Sequence, residues 1–401
     1  MKYWRGYLVA AILAAISGAL MALAEKYTTL VDMVYPYVTR TVQGFLAVWS
    51  NGTDLLLWQV GAVVLVLALV TSIVLMILLR WNPIQWGGWV LTVVAGVYLL
   101  HTGIYGLNYH AGPISDDVRL EVTEYTLKEL EHATIYYRDK ANELATQLPR
   151  DGYGEATFAD FETLAKQAAD GFEELTYHQC YPVFAGDKTP VKKLGWSDLY
   201  TSMGITGFTM PITGEAAVNP QIPDVALPYT MCHEMAHRMC IAVERDANFA
   251  AFMACAANSD IQFQYSAYYM AYRYCYSALA SVGSPAAAAA AARIQSGVNA
   301  SFAQDLKSYS QFFSEKMDES ATRLADSVND AYIKTSGDDD GIASYGEVCD
   351  LLVSWHIQEI VMPAQREEAV STFDPYDESQ VDLSGIVGAM PKEDEDVQDP
   401  E

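Results

Sequence analysis

Apolar residues crowd the first quarter of the chain and then spread out at helical spacing. Tyr7–Ala24 is an apolar run behind Lys2 and Arg5, Leu55–Leu79 is a longer one, and Trp86–Tyr105 is a third. A membrane core takes about 20 apolar residues of helix, so the three runs predict transmembrane spans. Trp81, Trp86 and Trp89 are placed like an interfacial belt. The first run also has a signal-peptide reading, since Ala22-Leu23-Ala24 resembles a cleavage site, but its length favours a retained span. Between the first two runs, Lys26–Trp49 mixes aromatics, Val and Leu with few charges. It predicts an interfacial helix on the outer face or, equally, a packed loop.

Beyond about Asn108 the pattern is that of a soluble, mostly helical domain. Asp116–Leu148 carries Leu120, Tyr125, Leu127, Leu130 and Ile135 at helix spacing, and Phe158–Tyr177 predicts another helix. Gly204–Asn219 changes character. Its β-branched residues, glycines and Pro211 predict a strand or hairpin with an exposed edge. Asn258–Leu279 is helical and tyrosine-rich, Ser284–Arg293 is an alanine-rich helix, and Phe302–Val328 and Leu351–Ile360 continue helical. The division expected is a membrane region over 1–107, a domain over 108–365 and an acidic, disordered tail over 366–401.

The chemistry concentrates in Pro228–Ala256, which holds His233, Glu234 and His237 in the order H-E-x-x-H. Residues four apart share a helix face, so two imidazoles can meet one zinc ion, with Glu234 placed as a general base. Pro228 suits a first turn, Thr230 can cap, and Met231, Met235 and Met239 predict a buried side. Glu244 is the candidate third ligand, Asp246 its alternative, and Asn248 the candidate partner of a ligand histidine. An unbroken helix would carry Glu244 about 10 Å past His237. The chain must therefore turn between Met239 and Val243. Glycine would suit that turn, and Cys240 stands there at a cost of about 1 kcal/mol.

Charge and cysteine content narrow the function. A formal net charge of −26 excludes nucleic acid as a natural partner, because phosphate binding needs a basic surface. Asp338-Asp339-Asp340-Gly341 lacks calcium-loop spacing and reads as a plain loop. The six cysteines form no C-x-x-C pair and read as small buried hydrophobes, with Cys240 a possible sulfur ligand. Lys2, Arg5 and Arg80 on one side of the spans predict that the domain is extracytoplasmic.

With its three spans, GITGFTMPITGEAAVN, LPYTMCHEMAHRM, ERDANFAAFMAC, QYSAYY, NDAYIK and GIASYGEV in that order, the chain resembles an uncharacterised bacterial family. This is a domain-of-unknown-function group of three-span membrane proteins with a gluzincin-like H-E-x-x-H. The resemblance covers nearly the whole chain and departs at Cys240, where the family pattern has glycine. It implies His233, His237 and Glu244 as metal ligands and Glu234 as the base.

The expectation is a mostly α membrane protein whose zincin-like domain, with a small β edge strand or hairpin, is a zinc metallopeptidase acting on a peptide or protein. Tyr332, Lys334 and Tyr345 are candidate oxyanion donors, and the lipid bilayer is the second partner. The competing expectation is a non-catalytic sensor or scaffold with a structural or vestigial metal site, in which Cys240 would close the coordination.

Overall fold

The three long apolar runs become helices because nothing interrupts them and hydrocarbon leaves the backbone no other way to pair its polar groups. In the computed structural model, which describes residues 2–336 and 347–365, they are α1 (Arg5–Lys26), α3 (Leu57–Leu78) and α4 (Pro83–Ile104), with α2 (Thr28–Ser50) between the first two. Each of α1, α3 and α4 is long and apolar enough to cross a membrane. α1 and α4 run parallel in close contact: a Cβ on Gly6 would stand 2.5 Å from the Gly88 carbonyl carbon, and Leu13 lies against Gly96. Thr92 Oγ1 donates to Gly6 O at 2.8 Å, a polar clasp between small-residue faces. Lys26–Trp49, expected as a helix or a loop, is a helix.

Beyond α4 the chain continues with α5 (Ile114–Asp117) and α6 (Leu127–Ala145). The helix expected from Asp116 starts only at Leu127, where Thr126 and Glu129 form a reciprocal capping box. α7 (Phe161–Tyr177) starts where Asp160 accepts from Thr163 N. Then come β1 (Lys192–Lys193), α8 (Ser197–Ser202), β2 (Gly207–Met210) and β3 (Glu215–Val218), followed by α9 (Leu227–Arg238), α10 (Glu244–Ala257) and α11 (Ile261–Ser281). α12 (Pro285–Ser296), α13 (Ala300–Lys316), α14 (Glu319–Ser336) and α15 (Val348–His356) complete the series. The run expected over Phe302–Val328 breaks at Met317, whose extended backbone ends α13. The chain divides into a unit over 1–355 and a C-terminal unit from His356. Tyr345, the Asp338–Gly341 loop and the tail over 366–401 lie outside the described residues.

The hairpin expected over Gly204–Asn219 is present and gains a third strand. The order is β1-β3-β2, with β2 antiparallel to β3 through Gly207↔Val218 and Met210↔Glu215, and β1 parallel to β3. β3 is buried at all four positions, so it shows no polar–apolar alternation. Helix α9 packs on β2 and β3 and on α7, α10 and α11. Its neighbours contribute Phe249, Phe252 and Phe263, all fully buried, each worth roughly 1.5–3 kcal/mol of burial. α7 and α10 touch through Gly171, where a Cβ would fall 1.9 Å from Ala254 O, so any larger residue there forces the two helices apart.

One buried ion pair ties the sheet to the membrane helices. Glu215 on β3 accepts from the first two backbone N–H groups of α3, Leu57 N at 2.8 Å and Trp58 N at 2.9 Å. Lys192 Nζ on β1 meets Glu215 Oε1 at 2.8 Å and also donates to Ser50 O and Leu55 O. The carboxylate thus satisfies a helix N-terminus and sits on its positive end.

Candidate metal centre

Helix α9 starts at Leu227, so Pro228 falls in the first turn as expected, whereas Thr230 lies inside the helix and caps nothing. Met231, Met235 and Met239 are buried. So is nearly every other residue of α9, because helices cover the faces that the sheet does not.

The turn required after His237 is there. Cys240 N donates to His237 O at 2.9 Å and Ile241 N to Ala236 O at 3.1 Å, with Cys240 left-handed at φ 69°. These two bonds are a Schellman closure, with cysteine in the place glycine normally takes. Its steric cost is about 1–2 kcal/mol. Burial of the side chain among Tyr105, Tyr109 and Ala242 offsets it, as does Arg40 Nε donating to Met239 O at 3.1 Å. α10 then begins on Glu244 itself.

The reversal brings Glu244 back onto α9. His233 Nε2 and His237 Nε2 stand 3.0 Å apart, and Glu244 Oε2 lies 3.3 Å from the first and 3.4 Å from the second. Ligand bonds of about 2.0–2.1 Å around a tetrahedral zinc require edges of about 3.3 Å, so the triangle fits one face of such a site. Glu244 Oε2 is buried and accepts no hydrogen bond, as an atom reserved for an ion would be. His237 Nδ1 meets Ile241 O at 2.9 Å, which fixes the ring with Nε2 toward the cluster. His233 Nδ1 is buried without a hydrogen-bond partner.

Glu234 is held by the edge strand. Thr209 Oγ1 on β2 donates to Glu234 Oε2 at 2.7 Å, and a Cβ on Gly207 would stand 2.4 Å from Glu234 Oε1. Only glycine at 207 leaves room for the carboxylate. Burial raises the Glu234 pKa above the ordinary carboxylate range, against the pull of His233, His237 and Thr209. Burial works the same way on Glu244, but there the two imidazoles win and hold it well below its usual value. Burial opposes a charge on His237, and the Glu244 carboxylate overrides it, lifting the imidazole to about 9.

Other candidates fall elsewhere. Asp246 turns away from the histidines, accepting from Ile114 N at 3.0 Å and Arg245 Nε at 3.0 Å. Asn248 Oδ1 accepts from Tyr274 at 3.1 Å, so its bond runs to a tyrosine and not to a ligand histidine. Cys240 stands outside the ligand group, its sulfur 3.9 Å from Arg238 O. Burial raises its thiol to about 11. Lys334 pairs with Asp330 at 3.0 Å, and the Tyr332 hydroxyl sits 3.1 Å from His101 Nε2. The cysteines are all free; five are buried, while Cys180 is exposed.

Thr209, Gly207 and Arg40 were not legible as site residues. The strand signal located Thr209 and Gly207 near the helix, but their register against Glu234 is a tertiary fact. Tyr105 and Tyr109 were also missed. They pack with Cys240 and Ala242 of the turn that leads to Glu244, and burial first, then neighbouring charge, raises their phenols.

The chain belongs to the family DUF3810, described as a protein of unknown function, whose sequence model matches residues 31–353. That description names no activity, so the chemistry of the site is argued from the residues. No curated protein and no solved structure matches the chain.

Proposed function

We propose that this protein is a membrane-anchored, zinc-dependent metallopeptidase acting on an extracytoplasmic or juxtamembrane protein or peptide. The observation that carries the reading is the triangle of His233, His237 and Glu244, with edges of 3.0–3.4 Å, and Glu234 next to it in sequence. Among the described residues no fourth His, Cys, Asp or Glu joins the group, which favours an open, catalytic site over a closed, structural one.

Zinc, when bound by these three side chains, would lower the pKa of water and polarise a carbonyl. Glu234 would take the proton from a water attacking the scissile carbonyl and return it to the leaving amine. Thr209 orients the carboxylate and favours its charged form. Among the described residues the outer edge of β2 carries no strand partner, so an extended peptide could pair along it beside Glu234.

Extracytoplasmic placement is part of the proposal. The parallel α1 and α4, with α3 joined to α4 by the short turn 79–82, put Arg5 and Arg80 at the end of the spans away from the soluble domain. A positive-inside bias then leaves the domain outside.

The test pairs metal analysis with cleavage of a denatured-protein digest library. Wild type should hold one zinc and cut; His233→Ala should hold none. Stoichiometric zinc in His233→Ala would overturn the ligand assignment. Full cleavage by Glu234→Gln would overturn the enzymatic one.

A further inference from the structure

Helix α2 is amphipathic the wrong way round for a water-soluble protein. Its apolar side chains Leu30, Met33, Val34, Val38, Phe45 and Val48 are all at least half exposed. The side it buries is largely polar, with Thr39, Gln43 and Ser50 nearly inaccessible. Both of its charged residues are engaged by the protein: Asp32 accepts from Gly112 N at 2.9 Å, and Arg40 donates to Met239 O and Pro182 O. An apolar stripe of this length facing water would be costly, and among the described residues nothing covers it.

Connectivity decides what does. α1 and α4 are parallel, and α3 folds back along α4 after the turn at 79–82, with Trp86 Nε1 near the start of α4 donating to Ser72 Oγ near the end of α3 at 3.2 Å. The C-terminal end of α1 and the N-terminal end of α3 therefore lie on one side of the bilayer. α2 joins those two ends, so it does not cross. Its contacts agree. Tyr35 Oη donates to Thr102 O and Gln43 Nε2 to Ile104 O, residues eight apart on α2 meeting residues two apart on α4. That is about 12 Å along one axis against about 3 Å along the other, so α2 lies across the end of the span.

We infer that α2 is an in-plane membrane helix whose Leu30–Val48 face is seated in the lipid boundary between headgroups and acyl chains. Tyr27, Tyr37 and Trp49, all exposed, supply the amphipathic rings that such a helix carries at the interface. Its inner side grips the Met239–Cys240 turn through Arg40, and Thr39 meets Asn108 at 3.2 Å beside the same turn. The turn that closes the ligand triangle is therefore hung from a lipid-embedded helix. The assignment to lipid stands whether or not a metal binds.

The test uses the full chain in phosphatidylcholine–phosphatidylglycerol nanodiscs, with Cys180, the exposed cysteine, replaced by serine. Nitroxide labels go onto V38C and F45C, onto V34C and V48C as replacements for either that fails to fold, and onto Y153C, an exposed domain control. Collision with oxygen should exceed collision with a water-soluble nickel complex at the α2 positions by severalfold, with the order reversed at Y153C. Val34 and Val48, fourteen residues apart, should report the same depth to within about 5 Å, whereas a crossing helix would separate them by about 20 Å. Nickel dominance on α2 would overturn the proposal. So would a depth gradient of the crossing size, or low collision with both reagents on an immobilised label, which would mean a protein cover.

Discussion

The ion pairing inside the ligand triangle makes a quantitative prediction about protein stripped of metal. With a chelator present, His237 holds a proton against the Glu244 carboxylate, 3.4 Å away in a buried site. Its pKa rises from 6.5 to about 9 on folding, worth roughly 3 kcal/mol and shared with its partner. Below pH 6.5 the folded and unfolded chains both carry that proton, and the stabilisation is complete. Between pH 6.5 and about 9 the folded chain keeps it while the unfolded chain gives it up, so stability falls as pH rises. For a domain of this size that is about 5–10 °C in apparent midpoint. Scanning fluorimetry in detergent at fixed ionic strength would read it directly. Glu244→Gln removes the carboxylate and should flatten the slope. Zinc-loaded protein should slope the other way, gaining stability as its ligands lose their protons. A midpoint in chelator that stays level from pH 6.5 to 9, or a Glu244→Gln profile parallel to wild type, would refute the pairing.

Further outcomes separate the roles of the neighbouring residues. Glu234→Gln should retain zinc by elemental analysis and lose a factor on the order of 10² to 10⁴ in kcat, while Glu244→Gln should lose both metal and activity. Thr209→Val deletes a hydrogen bond to the charged form of Glu234, so the acid limb of the pH–rate profile should move to higher pH while the rate above it holds. Gly207→Ala pushes a methyl group against Glu234 Oε1, and kcat should fall with metal content unchanged. Lys192→Met strands Glu215 in the interior, and a loss of about 3–5 kcal/mol should appear in denaturant melts.

Local periodicity carried the helices and spans, because each is decided within some twenty residues by burial against hydrocarbon or core. The triangle of His233, His237 and Glu244 was legible for the same reason. His233 and His237 are bound by helix geometry, and the distance from His237 to Glu244 forces a bend whatever surrounds it. Cys240 shows where such reasoning stops. The sequence argued for the turn but marked cysteine as an awkward residue for it, since the compensating contacts come from Tyr105, Tyr109 and Arg40, far away in the chain. Asn248 marks a second limit. Four residues past Glu244 it shares that face of α10, yet its carbonyl oxygen is taken by Tyr274 from α11, a neighbour that no spacing argument contains. Boundaries slipped where capping outranked periodicity, as at Thr126, where a reciprocal pair of hydrogen bonds starts α6 eleven residues after Asp116.

The membrane helices and the candidate centre are joined at several points, among them Gln43 Nε2 of α2, which donates to Pro211 O between β2 and β3 at 3.0 Å. Lys192 and Glu215 fasten the sheet to the end of α2 and the start of α3, and Trp58 of α3 packs on Phe208 of β2 at 5.2 Å between rings. That is the strand whose Thr209 holds Glu234. Ten residues before Ser50 on α2, Arg40 holds the Met239–Cys240 turn, which leads into Glu244. The strand that holds Glu234 is thus reached through the Lys192–Glu215 attachment and the turn before Glu244 through Arg40, with α9 and its two histidines between them. A change in either attachment moves a different component of the site, so thinning the bilayer and loosening the Lys192–Glu215 clasp need not act alike.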